Sequence, residues 1–167
     1  MSEITRAFQD NGYETPISFE QVYEELSKLM LDVTKISQSL TLEWIPLVEA
    51  FQKFVDERMS SQSNKPLPYG TERRYDDFAD ELEMLSILAL GDSTRLDAVM
   101  MNGLRWQREV RLKGLENDAA FQRGVQRIAE KVAATKEAIN EMKSTAQRAK
   151  NLLNKVEERL WGSDQDL

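Results

Sequence analysis

The chain of 167 residues contains no cysteine and no histidine. The absence of cysteine excludes disulfides, thiolate metal sites and cysteine nucleophiles, and it is typical of a reducing compartment. The absence of histidine removes the commonest metal ligand and the commonest general base. Glycine is scarce as well, with 7 residues scattered along the chain, and no glycine-rich loop for a phosphate is present. We therefore expect a protein that is not an enzyme and that has no cofactor and no metal site.

Long apolar runs are also missing. The longest apolar-rich stretch, Met84–Leu90, is far shorter than the ~20 residues that a membrane span needs. The first residues, MSEITRAFQDNGYETP, are polar and lack the apolar stretch of a secretory signal. We therefore expect a cytoplasmic protein.

The strongest positive signal is a repeat of apolar residues, spaced alternately by four and three positions, near the C-terminus. It comprises Phe121, Val125, Ile128, Val132, Thr135, Ile139, Met142, Ala146, Ala149, Leu153, Val156 and Leu160. An uninterrupted repeat of this length is typical of a coiled-coil seam. With Asn117 as its cap and Gly162 as its stop, it predicts a helix from Asp118 to Trp161, about 65 Å long at ~1.5 Å per residue.

Shorter repeats predict helices earlier in the chain, beginning with one over residues 18–40. Ser18 and Gln21 have the spacing of a capping box at its start. Pro46 cannot donate to a helical ladder, so it predicts a break or sharp kink near residues 41–45. The sequence leaves open whether the helices over 18–40 and 44–60 are one kinked helix or two.

Two further helices are predicted between residues 70 and 114. Thr71 is placed to cap the first, which Gly91 would end. Asp92 or Ser93 would cap the second, which would end near Gly114.

The expected fold is all-α, because no segment combines the period-two alternation of a strand with hairpin turn chemistry. We predict an elongated helical bundle with a long C-terminal coiled-coil-type helix. Residues 17–162 would form a single bundle with a polar, proline-interrupted connector at 60–70. A flexible N-terminal segment, 1–16, and a C-terminal tail, 163–167, would flank it.

Charge is divided unevenly along the chain, whose net charge is −7. Residues 1–100 hold 9 basic and 19 acidic side chains, a net charge of −10, whereas residues 101–160 hold 13 and 8, a net charge of +5. The favoured interpretation is that acidic early helices pack beside basic late ones, in the same chain or in a second copy.

An alternative interpretation is that the basic half binds an anionic membrane surface or nucleic acid. The residues that would make these contacts are Arg105, Arg108, Arg111, Lys113, Arg123, Arg127 and Lys131. A sequence pI of about 4.8 argues against strong phosphate binding. Nucleic acid is therefore the less favoured partner of the two.

One acidic cluster has the composition of a metal site, and it comprises Asp76, Asp77, Asp80, Glu81 and Glu83. Carboxylates spaced like Asp77 and Glu81 can bind Mg²⁺ or Mn²⁺ if others face them across a bundle. A solvated acidic face is the preferred interpretation.

These observations predict a non-enzymatic protein–protein interaction module, an adaptor, assembly scaffold or chaperone that acts through coiled-coil helix packing. The residues assigned to its partner-helix seam are Phe121, Val125, Ile128, Val132, Ile139, Met142, Leu153, Val156 and Leu160. The partner would be a second copy, in a homo-oligomer, or another helical protein. Trp44, Trp106 and Trp161 would anchor the contact if they are exposed. No small-molecule substrate is expected.

Overall fold

The computed structural model of the chain describes residues 16–60 and 67–162. The helical elements, in chain order, are α1 (Phe19–Ser39), a π-helical turn (Leu40–Trp44), α2 (Ile45–Ser60), α3 (Thr71–Leu112) and α4 (Ala119–Trp161). The described residues form no strand, and the predicted all-α bundle with a long C-terminal helix is confirmed. Residues 1–15, 61–66 and 163–167 lie outside the described part, and with them most of the predicted N-terminal segment and connector and the whole tail.

The start of α1 has the predicted capping box. The backbone N–H of Gln21 donates to Ser18 Oγ at 3.2 Å, and the backbone N–H of Ser18 donates to Gln21 Oε1 at 3.0 Å. Two amide groups that have no partner inside the helix are satisfied in this way, which fixes where α1 begins.

Of the break or sharp kink predicted near residues 41–45, the break does not occur, because the chain stays helical from α1 into α2. The backbone N–H of Ile45 donates to the carbonyl of Leu40, five residues earlier, which makes one π-helical turn. A π turn holds one residue more than an α turn, so it absorbs the extra four-residue step between Leu40 and Trp44. It also widens the helix just before Pro46, whose ring would otherwise crowd a regular ladder.

The division of α3 at Gly91 is also wrong, because α3 runs unbroken from Thr71 to Leu112. Among the described glycines only Gly70 and Gly114 have positive φ, so Gly91 has ordinary helical geometry. Ser93 does not cap a new helix, since its hydroxyl donates to the carbonyl of Ala89 at 3.4 Å. A glycine inside a helix costs about 1 kcal/mol relative to alanine, which packing along a long helix can outweigh.

The end of α3 near Gly114 is confirmed, and its hydrogen bonds explain it. Gly114 has a φ of 73°, its N–H donates to the carbonyl of Arg111 at 2.9 Å, and the N–H of Leu115 donates to the carbonyl of Val110 at 3.2 Å. These two bonds form a Schellman motif, which needs a left-handed residue and so favours glycine.

The ends of α4 differ slightly from the prediction. Asp118, not Asn117, caps its start, because Asp118 Oδ1 accepts a hydrogen bond from the N–H of Ala120 at 3.0 Å. The helix ends at Trp161 as predicted, but Gly162 does not have the positive φ expected of its stop.

The start of α3 at Thr71 is confirmed, although the hydroxyl of Thr71 does not accept from the first turn. It donates backwards to the carbonyl of Pro68 at 2.7 Å. The first turn is closed instead by the N–H of Arg74, which donates to the carbonyl of Gly70 at 2.9 Å.

The described residues group into two compact units, and unit 1 consists of residues 16–29 and 95–135. Its buried side chains include Val22, Leu26, Leu29, Leu96, Val99, Trp106, Ile128 and Thr135. Thr135 is the one polar residue of the α4 repeat, and its hydroxyl donates to the carbonyl of Lys131 at 2.7 Å. Because that bond stays within the helix, Thr135 can be buried without an unsatisfied group.

Unit 2 consists of residues 30–60, 67–94 and 136–162. Its core includes a cluster of Phe51, Val55 and Val156, and the surrounding partly buried residues are Phe54, Tyr75, Phe78 and Leu160. The residues that pack here come from α2, α3 and α4, so the C-terminal part of the α4 repeat is covered inside this unit.

Acidic residues of α2 pair with basic residues of α4 in unit 2, as the favoured interpretation of the charge pattern predicts. Arg159 Nε lies 2.9 Å from Asp56 Oδ1, and Arg148 Nη2 lies 3.4 Å from Glu49 Oε1. Three of the four side chains are at least half exposed and Asp56 is half-buried, so each pair contributes at most about 1 kcal/mol and serves mainly to set the alignment of the helices.

Substitution of two glycines tests the continuity of α3. A Cβ at Gly91 would meet nothing within 4 Å, so Gly91→Ala should stabilise the fold by up to about 1 kcal/mol. Gly114→Ala should destabilise it by about 1–2 kcal/mol, because alanine is strained at positive φ. Urea unfolding followed by circular dichroism measures both changes. A loss of stability in Gly91→Ala would contradict an unbroken α3.

The pKa of Tyr75 gives a second test, within unit 2. Its ring packs edge-on against Trp161, with the centroids 5.0 Å apart. Burial, the charge of Glu157, a hydrogen bond to Glu157 and the charge of Asp76 raise the pKa of Tyr75 above its ordinary value of 10.0. The folded state therefore retains the proton more strongly than the unfolded chain, so this stability is present below pH 10 and is lost as the pH rises through the raised pKa. Glu157→Gln should lower the pKa of Tyr75. The pKa is measured from the absorbance of the phenolate during a pH titration, and Tyr75→Phe is the reference that isolates the signal of Tyr75.

Candidate protein-binding site

The predicted partner-helix seam on α4 is covered by its own chain. Five of its residues are buried, namely Ile128, Ile139, Met142, Leu153 and Val156. The other four, Phe121, Val125, Val132 and Leu160, are half-buried, and none of the nine is exposed. A partner would therefore have to bind to residues that are accessible in the folded chain.

Two of the three tryptophans do not meet the condition for acting as anchors. Trp44 is 3% exposed and Trp106 is 7% exposed, so both belong to the core. Trp161 is half-buried against Tyr75. Trp44 Nε1 finds no hydrogen-bond acceptor among the described residues, and the indole packs edge-on against Phe78 at 5.9 Å.

The seven predicted anionic-surface residues fall into two groups. The first group is exposed and consists of Arg108, Arg111, Lys113 and Arg123. In the other group, Arg105 is half-buried and lies 3.5 Å from Glu109, while Arg127 and Lys131 lie over aromatic rings of α1. Arg105, Arg127 and Lys131 thus have partners within unit 1.

An aromatic cluster forms where α1, α3 and α4 meet in unit 1. The ring of Trp106 lies 5.8 Å from that of Phe19 and 5.1 Å from that of Phe121, measured between centroids, and both pairs are tilted. Phe19 in turn stacks on Tyr23 at 5.6 Å. Tilted and offset pairs at these distances are the favourable arrangements of aromatic rings.

Two cations of α4 cover the α1 side of this cluster. The guanidinium carbon of Arg127 lies 4.8 Å from the ring centroid of Tyr23 and 5.3 Å from that of Phe19. Lys131 Nζ lies 5.5 Å from the ring of Tyr23. These distances are within the range of cation–π attraction, worth about 0.5–1 kcal/mol each at an exposed site. The predicted basic stripe of α4 is therefore partly structural.

The absence of a side chain at Gly124 lets α4 approach the cluster closely. A Cβ at that position would lie 3.0 Å from Trp106 Cη2 and 3.2 Å from Phe19 Cδ2. These distances are tighter than ordinary van der Waals contact, so a side chain at this position requires one of the two rings to move by a few tenths of an ångström. Packing, and not a positive φ, is thus what favours glycine at position 124.

Beside this cluster lies a recess of about 500 Å³, which we call the aromatic recess. It is lined by Phe19, Glu20, Trp106, Val110, Leu115, Asp118, Ala120, Phe121, Arg123, Gly124 and Arg127. The volume lies within the range of about 300–1,000 Å³ usual for ligand sites. Seven of the eleven lining residues are apolar or glycine, and the other four are charged.

The charged residues of the aromatic recess differ in how they are engaged. Asp118 accepts the capping hydrogen bond from Ala120, and the guanidinium of Arg127 lies over two rings. Glu20 and Arg123 are exposed. Arg123 and Arg127 lie four residues apart on α4, so the α4 side of the recess is positive. The arrangement suits an apolar group with a carboxylate beside it.

The acidic cluster of α3 gives no sign of a metal site. Asp76, Asp77, Asp80, Glu81 and Glu83 are all exposed. Within residues 16–60 and 67–162, no group of three or more acidic side chains is arranged to hold a metal ion. The same residues include no helix that is both long and apolar enough to cross a membrane.

Comparison of the chain with protein-family models, with characterised proteins and with solved structures finds no match in any of the three. The geometry of the described residues is therefore the only basis for a function.

The aromatic recess is only partly visible in the sequence. The spacing along the sequence predicts a basic stripe at positions 123, 127 and 131. It also places Trp106 on an apolar stripe. The participation of Phe19 and Tyr23 is not, because it depends on which helix packs against which. Gly124 is a signal that the sequence does offer, since it is a glycine within a strongly periodic helix.

A pair of glycine substitutions tests the packing of the recess. Gly124→Ala should lower the free energy of unfolding by about 1–3 kcal/mol, because the new methyl group would displace Trp106 or Phe19. Gly103→Ala is the matched control, since a Cβ there would lie 3.6 Å from Val22 Cγ1 and 3.8 Å from Ile128 Cγ2, which is ordinary contact. Thermal unfolding of both variants measures the difference. Equal stability of the two would contradict the described position of α4 in unit 1.

Proposed function

We propose that the chain is a non-catalytic protein-binding module, an adaptor, assembly scaffold or chaperone, that binds its partner through the aromatic recess. The observation that carries this proposal is a recess lined mainly by rings and aliphatic groups, with Arg123 and Arg127 on its α4 side and with Glu20 and Asp118 also in the lining. The α4 repeat then provides the framework that holds the recess in place.

The partner that fits best presents one bulky apolar side chain with a carboxylate next to it. The apolar side chain would enter between Val110, Leu115 and Phe121, and its burial would supply most of the binding free energy. The carboxylate would pair with Arg123, which is exposed in the free chain. An exposed ion pair adds little affinity, but it selects the partner and its orientation.

Binding to an anionic membrane or to nucleic acid is the alternative function. The exposed residues Arg108, Arg111, Lys113 and Arg123 favour it. The cation–π contacts of Arg127 and Lys131 weigh against it, because phosphate binding would compete with them. A peptide that carries a bulky apolar side chain beside a carboxylate is the better match to this recess, because its apolar side chain can be buried there.

Titration with designed peptides tests the proposal. The probe is a glutamate-rich peptide with one central phenylalanine, and the readout is the indole N–H signal of Trp106 in an NMR spectrum. We expect the signal to shift on titration and expect affinity to fall by about tenfold or more when alanine replaces the phenylalanine, equivalent to about 1.4 kcal/mol or more. No shift of Trp106 with any such peptide would contradict the proposal.

Charge reversal provides the control for the same titration. Arg123→Glu should weaken binding of the acidic peptide, whereas Lys143→Glu, an exposed change elsewhere on α4, should leave it unchanged. Vesicles containing phosphatidylserine and a single-stranded oligonucleotide test the alternative. Binding to either that decreases steeply with added salt, without any peptide binding, would replace the proposed function.

A further inference from the structure

Residues 6–10 of the chain, Arg-Ala-Phe-Gln-Asp, have the chemistry that the aromatic recess fits. They belong to residues 1–15, which lie outside the described part of the chain. Phe8 is a bulky apolar side chain, and Asp10 supplies a carboxylate two positions later. Side chains two positions apart point to the same side of an extended segment, so Arg6, Phe8 and Asp10 would all face one surface.

Phe8 fits this description better than the other side chains of residues 1–15. The aromatic and branched aliphatic side chains there are Ile4, Phe8 and Tyr13. Two positions from Ile4 lie a serine and an arginine, and two positions from Tyr13 lie an asparagine and a threonine. Only Phe8 therefore has a carboxylate on the side to which its own side chain would point.

The charges of the recess are complementary to those of residues 6–10. Glu20 of α1 and Arg123 of α4 both line the recess and are exposed. Asp10 would pair with Arg123 and Arg6 with Glu20. Exposed pairs of this kind add little affinity, but they select one orientation of the bound segment.

The described chain begins close enough for residues 6–10 to reach the recess. Phe19, the first residue of α1, itself lines the recess, and Phe8 is eleven positions earlier. An extended segment of that length spans up to about 36 Å, at ~3.3 Å per residue. The backbone N–H of Ile17 donates to Glu109 Oε2 at 3.4 Å, which holds the chain against α3 next to Val110, another lining residue. All of these described residues belong to unit 1.

We propose that residues 6–10 dock into the aromatic recess of their own chain, with Phe8 among Val110, Leu115 and Phe121, and that a partner has to displace them. This inference rests on the proposed function, because it concerns the occupancy of the same recess. A tethered segment competes at an effective concentration on the order of 1 mM. Even a dissociation constant of about 1 mM would therefore keep about half of the recesses occupied.

The competition is tested in the full chain with the glutamate-rich peptide that has one central phenylalanine, followed through the indole N–H signal of Trp106. Phe8→Ala should strengthen binding of the peptide by about twofold or more, because it removes the competitor. Ile4→Ala is the matched control, since it truncates another apolar side chain of residues 1–15. It should leave the affinity unchanged.

Docking is tested without any peptide by NMR contacts between side chains. The ring of Phe8 should show nuclear Overhauser contacts with the methyl groups of Val110 or Leu115. The Trp106 signal should move in Phe8→Ala and stay in place in Ile4→Ala. Both observations should be independent of protein concentration, because the segment and the recess belong to one chain.

Three results would overturn the proposal. Equal affinity of the peptide for the unmodified chain and for Phe8→Ala would show that nothing has to be displaced, while the binding itself would still support the proposed function. Equal effects of Ile4→Ala and Phe8→Ala would contradict docking through Phe8. Contacts that disappear on dilution would show that the recess holds a segment of a second copy.

Failure of the peptide to bind any of the three chains would contradict the proposed function instead. The contacts between Phe8 and the recess then decide the present proposal separately. Their presence would support docking of residues 6–10, and their absence would overturn it.

Discussion

Burial of the α4 repeat against the chain's own helices is the constraint on which the rest of the structure depends. Side chains such as Met142 and Val156 are covered without any second chain, and Thr135 is satisfied by a bond inside its own helix. Since this apolar face is already used, the protein binding that we propose has to use side chains outside it. The aromatic recess is the candidate site that this division leaves.

The fold was largely predictable because strong periodicity and local capping chemistry act over short distances. Ser18 with Gln21 and the Schellman motif at Gly114 are read directly from neighbouring residues. The helix breaks expected at Pro46 and at Gly91 do not occur, and the reason is shared, because each residue is a local breaker inside a long apolar repeat. A π turn accommodates the first, and packing along α3 outweighs the second.

The candidate site was less predictable, because it depends on contacts between helices that are far apart in sequence. Arg127 had the spacing of a solvated basic stripe, yet its guanidinium lies over Tyr23 of α1. Periodicity alone also could not distinguish apolar residues that face inward from those that face solvent. The exposure of Ile87 and the burial of Ile139 separate the two only once the helices are packed.

Amide hydrogen exchange of α4 in dilute solution tests the central constraint most directly. If the seam is covered by its own chain, the amides between Ile139 and Val156 should be strongly protected even at concentrations where the chain is a monomer. Protection that disappears on dilution would show that a second chain covers the seam, which would contradict its burial within a single chain.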